Sequence, residues 1–396
     1  MNNIPKLRFP EFSGEWEEKR IDSIFDEKKE KNHPSEEVLT IIQGTGTVPR
    51  KASGRNIIFD EKSLSSYKFV QKDDFIIHLR SFEGGLEIAN SNGIVSPAYI
   101  IMHPKLSIAS KFYYSYFRSY KFINHVLPVS VEGVRDGRQI KYPILKEEKI
   151  PFTSFAEQQK IADFLSNVDS IITAETKILN TLQKKKKALM QKLFTRQLRF
   201  KSDDGTDFPA WEEKKLREIS SSPKYGLNAS GIDYDGEHKY LRITDIDEVT
   251  HTFSPEEITT PSEFSDDYLL KENDIVFART GASTGKTYLY NPNDGDLYFA
   301  GFLIKFHIKD ANARFVFYQT CTHEYEKWVH VMSTRSGQPG INSEEYSTLK
   351  IKLPCIEEQQ KIADCLSSMD SLIQNQQKVV TTWQQRKKAL LQQMFI

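Results

Sequence analysis

A long segment of this chain occurs twice. Residues 157–195 open Glu157-Gln158-Gln159-Lys160-Ile161-Ala162-Asp163, and residues 358–396 open Glu358-Gln359-Gln360-Lys361-Ile362-Ala363-Asp364. The copies align without a gap, with about 21 identities in 39 positions. A chain that repeats itself this way reads as a dimer fused into one polypeptide. Such a pseudo-twofold protein suits a pseudo-twofold partner, of which DNA is the commonest extended example.

Each copy predicts one unbroken helix. Ile161, Leu165, Val168, Ile172, Leu179, Leu182, Leu189 and Leu193 recur at heptad spacing; Ile362, Leu366, Met369, Ile373, Val380, Trp383, Leu390 and Met394 fill the same slots. Neither copy contains Pro or Gly, and at 1.5 Å per residue each helix would be about 58 Å long. The seam is interrupted twice at matching places, by Glu175 with Gln376 and by Lys186 with Lys387. Polar seam residues fix register at some cost in stability.

Two larger and less similar segments precede the helices. Both open on a related phrase: Leu7-Arg8-Phe9 then Trp16-Glu17-Glu18-Lys19, and Leu198-Arg199-Phe200 then Trp211-Glu212-Glu213-Lys214. Apolar runs at Asp74–Ile77 and Asp274–Phe277 predict strands, each leading to an Arg and a glycine turn. Helical stretches begin near Lys111 and Arg314, Arg-x-Gly loops follow at Arg135 and Arg335, and a last strand ends near Pro151 or Pro354. The layout is globule, helix, globule, helix. Close identity of the helices implies a shared partner, and divergence of the globules implies a different target for each.

These motifs resemble the specificity (S) subunit of type I restriction–modification systems. The resemblance covers essentially the whole chain and rests on the EQQKIAD helices, the W-E-E-K openings and the alternating layout. It implies an α+β protein: two α/β target recognition domains at 1–155 and 199–355, separated by long antiparallel coiled-coil helices at 156–198 and 356–396. It further implies one half of a split, asymmetric double-stranded DNA target for each domain. Two methyltransferase subunits would dock on the helices, restriction/translocase subunits would join the full complex, and this chain itself would be non-enzymatic, without a cofactor. The physics points the same way, since a stiff helical pair would hold two reading heads at a set separation, and half-sites on one face of DNA lie about 34–36 Å apart.

Several constellations have the residue types of a site. Gly281-Ala282-Ser283-Thr284-Gly285-Lys286-Thr287 imitates a phosphate-binding loop, but Thr280 stands where the first glycine belongs and no helix signal follows. It reads instead as a turn offering Arg279, Ser283 and Lys286 to DNA. Ser96-Pro97-Ala98-Tyr99 resembles the base-holding loop of amino-methyltransferases, with Ala in place of the second Pro and no glycine-rich cofactor strand. Arg135, Arg138 and Gln139, with Arg335, Gln338 and Asn342, are residue types that read purine edges. Arg80 and Arg279, following apolar strands, either contact DNA or pair internally. The aromatic run Phe112 to Phe122 has the spacing of a core-facing helix.

Formal charge balances to zero, so any nucleic-acid surface must arise by segregation of charge. Acids are absent between Glu175 and Asp203 and after Asp370, leaving basic runs that serve either phosphate attraction or helix C-terminal charge. Three unpaired cysteines, no metal-ligand spacing and no membrane-spanning stretch predict a reduced, metal-free cytoplasmic protein without a membrane partner.

Overall fold

The computed structural model describes residues 3–54, 61–133, 137–334 and 340–395. The chain divides into two units, Met1–Ile178 with Gln376–Ile396, and Leu179–Asn375. Each contains one globular segment and portions of both long helices.

In unit 1 an antiparallel four-stranded sheet runs in the order Phe25–Lys28, Ile100–Pro104, Phe75–Ile77, Glu87–Ile88. Unit 2 has a sheet of the same order, Lys224–Tyr225, Leu303–His307, Asp274–Ala278, Thr287–Leu289. The central strands lack an alternating polar face because both of their faces are covered. Ile275 and Phe277 point into one core with Ile304 and Phe306, while Val276 and Ala278 point into another with Leu303. Phe75 and Ile76 divide in the same way between two cores of unit 1. The acid that opens each central strand is buried and held alike: Asp74 by His103 at 2.6 Å and Asp274 by His307 at 2.8 Å.

Outside these sheets the units differ. Unit 1 adds an antiparallel pair, Lys68–Val70 with Gly93–Val95; unit 2 adds a parallel pair, Lys239–Leu241 with Leu297–Phe299. The aromatic run spans the helix Ser110–Tyr116, the turn after it and the start of the π-helical segment Phe122–Val126, with Phe112, Tyr113, Tyr116, Phe117 and Phe122 buried. Tyr120 departs from the pattern and is 54% exposed.

The long helices are Phe155–Phe194 and Ile356–Met394. Of the heptad positions, Ile161, Leu165, Val168, Leu179 and Leu193 are buried on the first helix, and Ile362, Leu366, Ile373, Val380 and Met394 on the second. Ile172, Leu182, Leu189, Met369, Trp383 and Leu390 are half-buried. The end positions belong to the globular cores: Ile161, Leu165 and Met394 pack with Trp16 and Phe112, and Leu193, Ile362 and Leu366 with Phe315. Helix ends thus complete the globules as well as facing each other.

Candidate nucleic-acid interface

The repeated motifs first explain how each globule is fastened to its helix. Glu17–Arg20 pairs with Lys149–Phe152, and Glu212–Lys215 with Lys350–Leu353, so each W-E-E-K opening forms a ribbon with the strand that leads into a long helix. The first of these strands ends one residue past Pro151. Arg8 then clamps the buried Glu157 at 2.7 and 2.9 Å, and Arg199 clamps the buried Glu358 at 2.7 and 3.1 Å. Burial opposes the Glu157 charge, but Arg8 and Thr153 outweigh it and hold this carboxyl below its usual range. Gln158 accepts from the Ala109 N–H at 3.0 Å and Gln359 from the Asn312 N–H at 2.9 Å, tying each helix to a shorter one. The Glu-Gln identity is therefore spent inside each unit. Helix identity thus has an internal cause beside the shared partner that it implies.

The basic runs are also partly consumed internally. Lys186 pairs with Asp370 at 2.5 Å within unit 2, and Lys387 with Asp169 at 2.5 Å within unit 1. Gln376 donates to Glu175 at 2.5 Å. Arg386 covers the Trp383 ring at 5.2 Å. Cys321, next to Lys186 and Asp370, is half-buried, and loss of solvation pushes its thiol up to about 12.

The loop resembling a phosphate-binding motif links two strands of one antiparallel sheet, Asp274–Ala278 and Thr287–Leu289, with a single short turn at Gly281–Ser283. No helix N-terminus is presented to a phosphate there. Gly285 has φ +90° and packs against Val329, so glycine is required by the turn itself. At Ser96–Tyr99 the chain makes a tight turn, with the Tyr99 N–H donating to the Ser96 carbonyl at 3.1 Å. Among the described residues no group of three His, Cys, Asp or Glu could hold a metal ion, and no helix is long and apolar enough to cross a membrane. All three cysteines are free thiols.

The proposed DNA-contacting residues lie in contrasting settings. In unit 1 Arg80 is exposed beside the short helix Ser81–Gly84. Arg138 is exposed and lies over the Phe82 ring at 4.4 Å, and the exposed Gln139 pairs with Glu132 in a two-residue ribbon. In unit 2 Lys286 is largely buried and donates to the Ile246 carbonyl at 3.0 Å, with Glu248 at 3.4 Å. Asn342 accepts from the Glu345 N–H at 2.9 Å and so caps a helix. Ser283 is half-buried in its turn. Arg135, Arg335 and Gln338 lie outside the described residues.

Arg279 has the most developed surroundings. It lines an open cleft of about 690 Å³ with Tyr225, Asn228, Arg242, Thr244 and Phe302. Its guanidinium lies 5.2 Å from the Tyr225 ring and 5.8 Å from the Phe302 ring. Sequence reasoning named Arg279 but missed both rings, one at the end of the strand Lys224–Tyr225 and the other in the turn before Leu303–His307, which share no local motif with it. It also missed the Arg8 and Arg199 clamps, although the two L-R-F phrases were a visible signal.

Comparison with known proteins now adds to this geometry. A family model for the type I restriction modification DNA specificity domain matches twice, at residues 13–184 and 210–382. The chain is 28% identical over 341 residues to the type I restriction enzyme MjaVIII specificity subunit of Methanocaldococcus jannaschii, covering 81% of this chain and 78% of that one. It is 22% identical over 423 residues to the putative type I restriction enzyme MjaX specificity subunit of the same organism, covering 98% and 95%. Its fold is similar to the crystal structure of the type I restriction–modification S subunit from M. genitalium, with TM-score 0.58 at 17% identity over 99% of each chain. Two matches to one family model, placed on two units with the same sheet order and the same helix clamp, make this chain a member of the type I restriction–modification DNA specificity family.

Proposed function

We propose that this chain reads a bipartite, asymmetric double-stranded DNA target, one half through each globular segment. In this reading residues 1–155 and 199–355 are the target recognition domains, and the long helices at 156–198 and 356–396 are their spacer and the docking surface for two methyltransferase subunits. Restriction/translocase subunits join this assembly in the cytoplasm, and methyl transfer belongs to the docked subunits. The observation that carries the reading is the contrast between frame and loops. Both units share a sheet order, a ribbon and an Arg–Glu clamp, while the added strands and the surroundings of Arg80 and Arg279 differ. A common frame with unlike reading surfaces suits two unlike half-sites.

A pseudo-twofold relation between the helices is supported by their polar partners. Lys186–Asp370 and Lys387–Asp169 are the same pair with the helices exchanged, and Glu175 meets its own counterpart Gln376. Partner numbers descend on one helix as they rise on the other, as an antiparallel pair requires.

The direct test is to map methylated adenines in DNA modified by the assembled complex, before and after exchanging residues 1–155 for another recognition segment. The expected result is a gapped motif in which only one half changes. Methylation without a gapped motif, or a change in both halves, would refute the modular reading.

A further inference from the structure

We propose that the cleft around Arg279 is a guanine-reading socket and that Arg279 is a specificity-determining residue of unit 2. This rests on the DNA-reading role given above and adds the base and the residue. Arg279 follows directly on the buried strand Asp274–Ala278. Its N–H donates to the Phe302 carbonyl at 3.0 Å, and its own carbonyl accepts from the Ile341 N–H at 2.9 Å. The backbone is thus fixed on both sides. Tyr225 is anchored in turn, its hydroxyl 3.1 Å from the Ser343 hydroxyl. The Tyr225 and Phe302 rings attract the guanidinium through their π faces and leave its N–H donors unused.

The donors are available. Among the described residues Arg279 makes no ion pair; its Nε is buried without a hydrogen-bond partner, so the Nη groups of this half-buried side chain are the donors a ligand can meet. The other cations nearby are already engaged. Arg242, on the same cleft, is held by Asp245 at 2.9 and 2.8 Å, and Lys286 is turned to the Ile246 carbonyl. A surface that tracks the phosphate backbone presents several uncompensated cations. Among the described residues this cleft presents one guanidinium without an ion pair, Arg279, beside an Arg242 that Asp245 neutralises.

A donor-only fork requires two adjacent acceptors in a plane. Guanine offers them at O6 and N7 on its major-groove edge. Adenine sets an amino donor beside N7, which faces the guanidinium with a like partner. Thymine offers one acceptor and cytosine an amino donor. Guanine is therefore the base that satisfies the fork.

The test uses the full chain assembled with its methyltransferase subunits and duplexes carrying the motif that the complex methylates. Each guanine of the half-site assigned to unit 2 is replaced in turn by 7-deazaguanine, which lacks the N7 acceptor. The expected result is a loss of affinity on the order of 5- to 150-fold at one position, with no further loss at that position in Arg279→Gln. Arg279→Gln should also relax base preference there while leaving the other half-site unchanged. Arg279→Lys, which keeps the charge but not the fork, should relax it as well, and unchanged thermal unfolding shows that both variants are folded. A uniform loss on all sequences with a salt slope lower by about one would assign Arg279 to phosphate and overturn the proposal. Unchanged selectivity in Arg279→Gln would overturn it too. If the wild-type complex shows no sequence preference at all, the DNA-reading role itself fails, an outcome separate from either of these.

Discussion

Replacing Arg8 by Leu tests the clamp that fastens the first globule to its helix. Arg8 is 12% exposed and Glu157 only 2%, so the pair is almost fully removed from water. Taking one member from a buried pair costs about 3–5 kcal/mol, because the remaining charge is left uncompensated. Thr153 still donates to Glu157 at 2.5 Å, which places the expected loss nearer about 3 kcal/mol. For a unit of this size that is about 6–12 °C in unfolding temperature. Hydrogen exchange at the start of the first long helix, read against denaturant, reports this unit separately from the other. Glu157→Gln added to Arg8→Leu removes the stranded charge and should recover at least half of the loss.

Acid supplies a second readout with a definite sign. In the natural protein the folded pKa of Glu157 is depressed, so its stabilisation is present above the unfolded value near 4.5 and disappears as pH falls through the folded value. In Arg8→Leu only burial and Thr153 act, so the carboxyl takes up a proton more readily on acidification. The gap between the two proteins should therefore narrow as pH falls from 7 toward 4. A deficit below about 1 kcal/mol, or one that is equal at both ends of that range, would refute the clamp as the cause.

Other outcomes follow from the same contacts. Reversing one member of the interhelical pair, Lys186→Asp, should cost about 1 kcal/mol at this partly exposed site, and adding Asp370→Lys should restore most of it; a double-mutant cycle with no coupling would contradict the pairing. Burial holds the His251 pKa below its ordinary value, with Lys186 and Lys286 acting in the same direction and the Thr287 carbonyl and Asp247 opposing. Below pH 6.5 the unfolded chain then takes up a proton that the folded one refuses, so unit 2 should lose stability on acidification. Urea titrations of His251→Gln should show a flatter dependence across that window. Inserting seven residues at matching places in both long helices keeps the heptad and adds about 10 Å, so the gap in the methylated motif should lengthen by about three base pairs. An unchanged gap, mapped by sequencing methylated DNA, would count against the helices as a spacer.

The sequence foretold the parts of this protein that obey a period or a repeat. The long helices were legible because apolar residues return at three and four and neither Pro nor Gly intervenes. The central strands were legible as short apolar runs bounded by Asp and Arg. What remained hidden depends on distance in the chain. Arg8 and Glu157 are 149 residues apart, and no local pattern announces that one will neutralise the other. Arg279, Tyr225 and Phe302 meet only because three strands of one sheet bring them together. Lys286 and Asn342 show the converse limit: each has an internal partner that its residue type does not announce, a carbonyl across a loop for one and a helix N-terminus for the other.

Two physical classes stand out among the positions identical in the two helix copies, and they bear on how such a protein can change its target. Glu157 and Glu358, with Gln158 and Gln359, face inward and hold a globule to its helix. Asp169 and Asp370, with Lys186 and Lys387, join helix to helix. Neither class touches the cleft of Arg279. A replacement globule must therefore bring an arginine to meet the waiting glutamate and a ribbon strand to pair with the one before the helix, but it is free in every loop that faces away. An exchange cut before Arg8, keeping the clamp within the transferred piece, preserves these contacts. An exchange cut between the L-R-F phrase and Trp16 tests whether the clamp is interchangeable, because Arg199 reaches Glu358 with the geometry Arg8 has toward Glu157. If chimaeras of the second kind fold as well as the first, the clamp is a generic fastening.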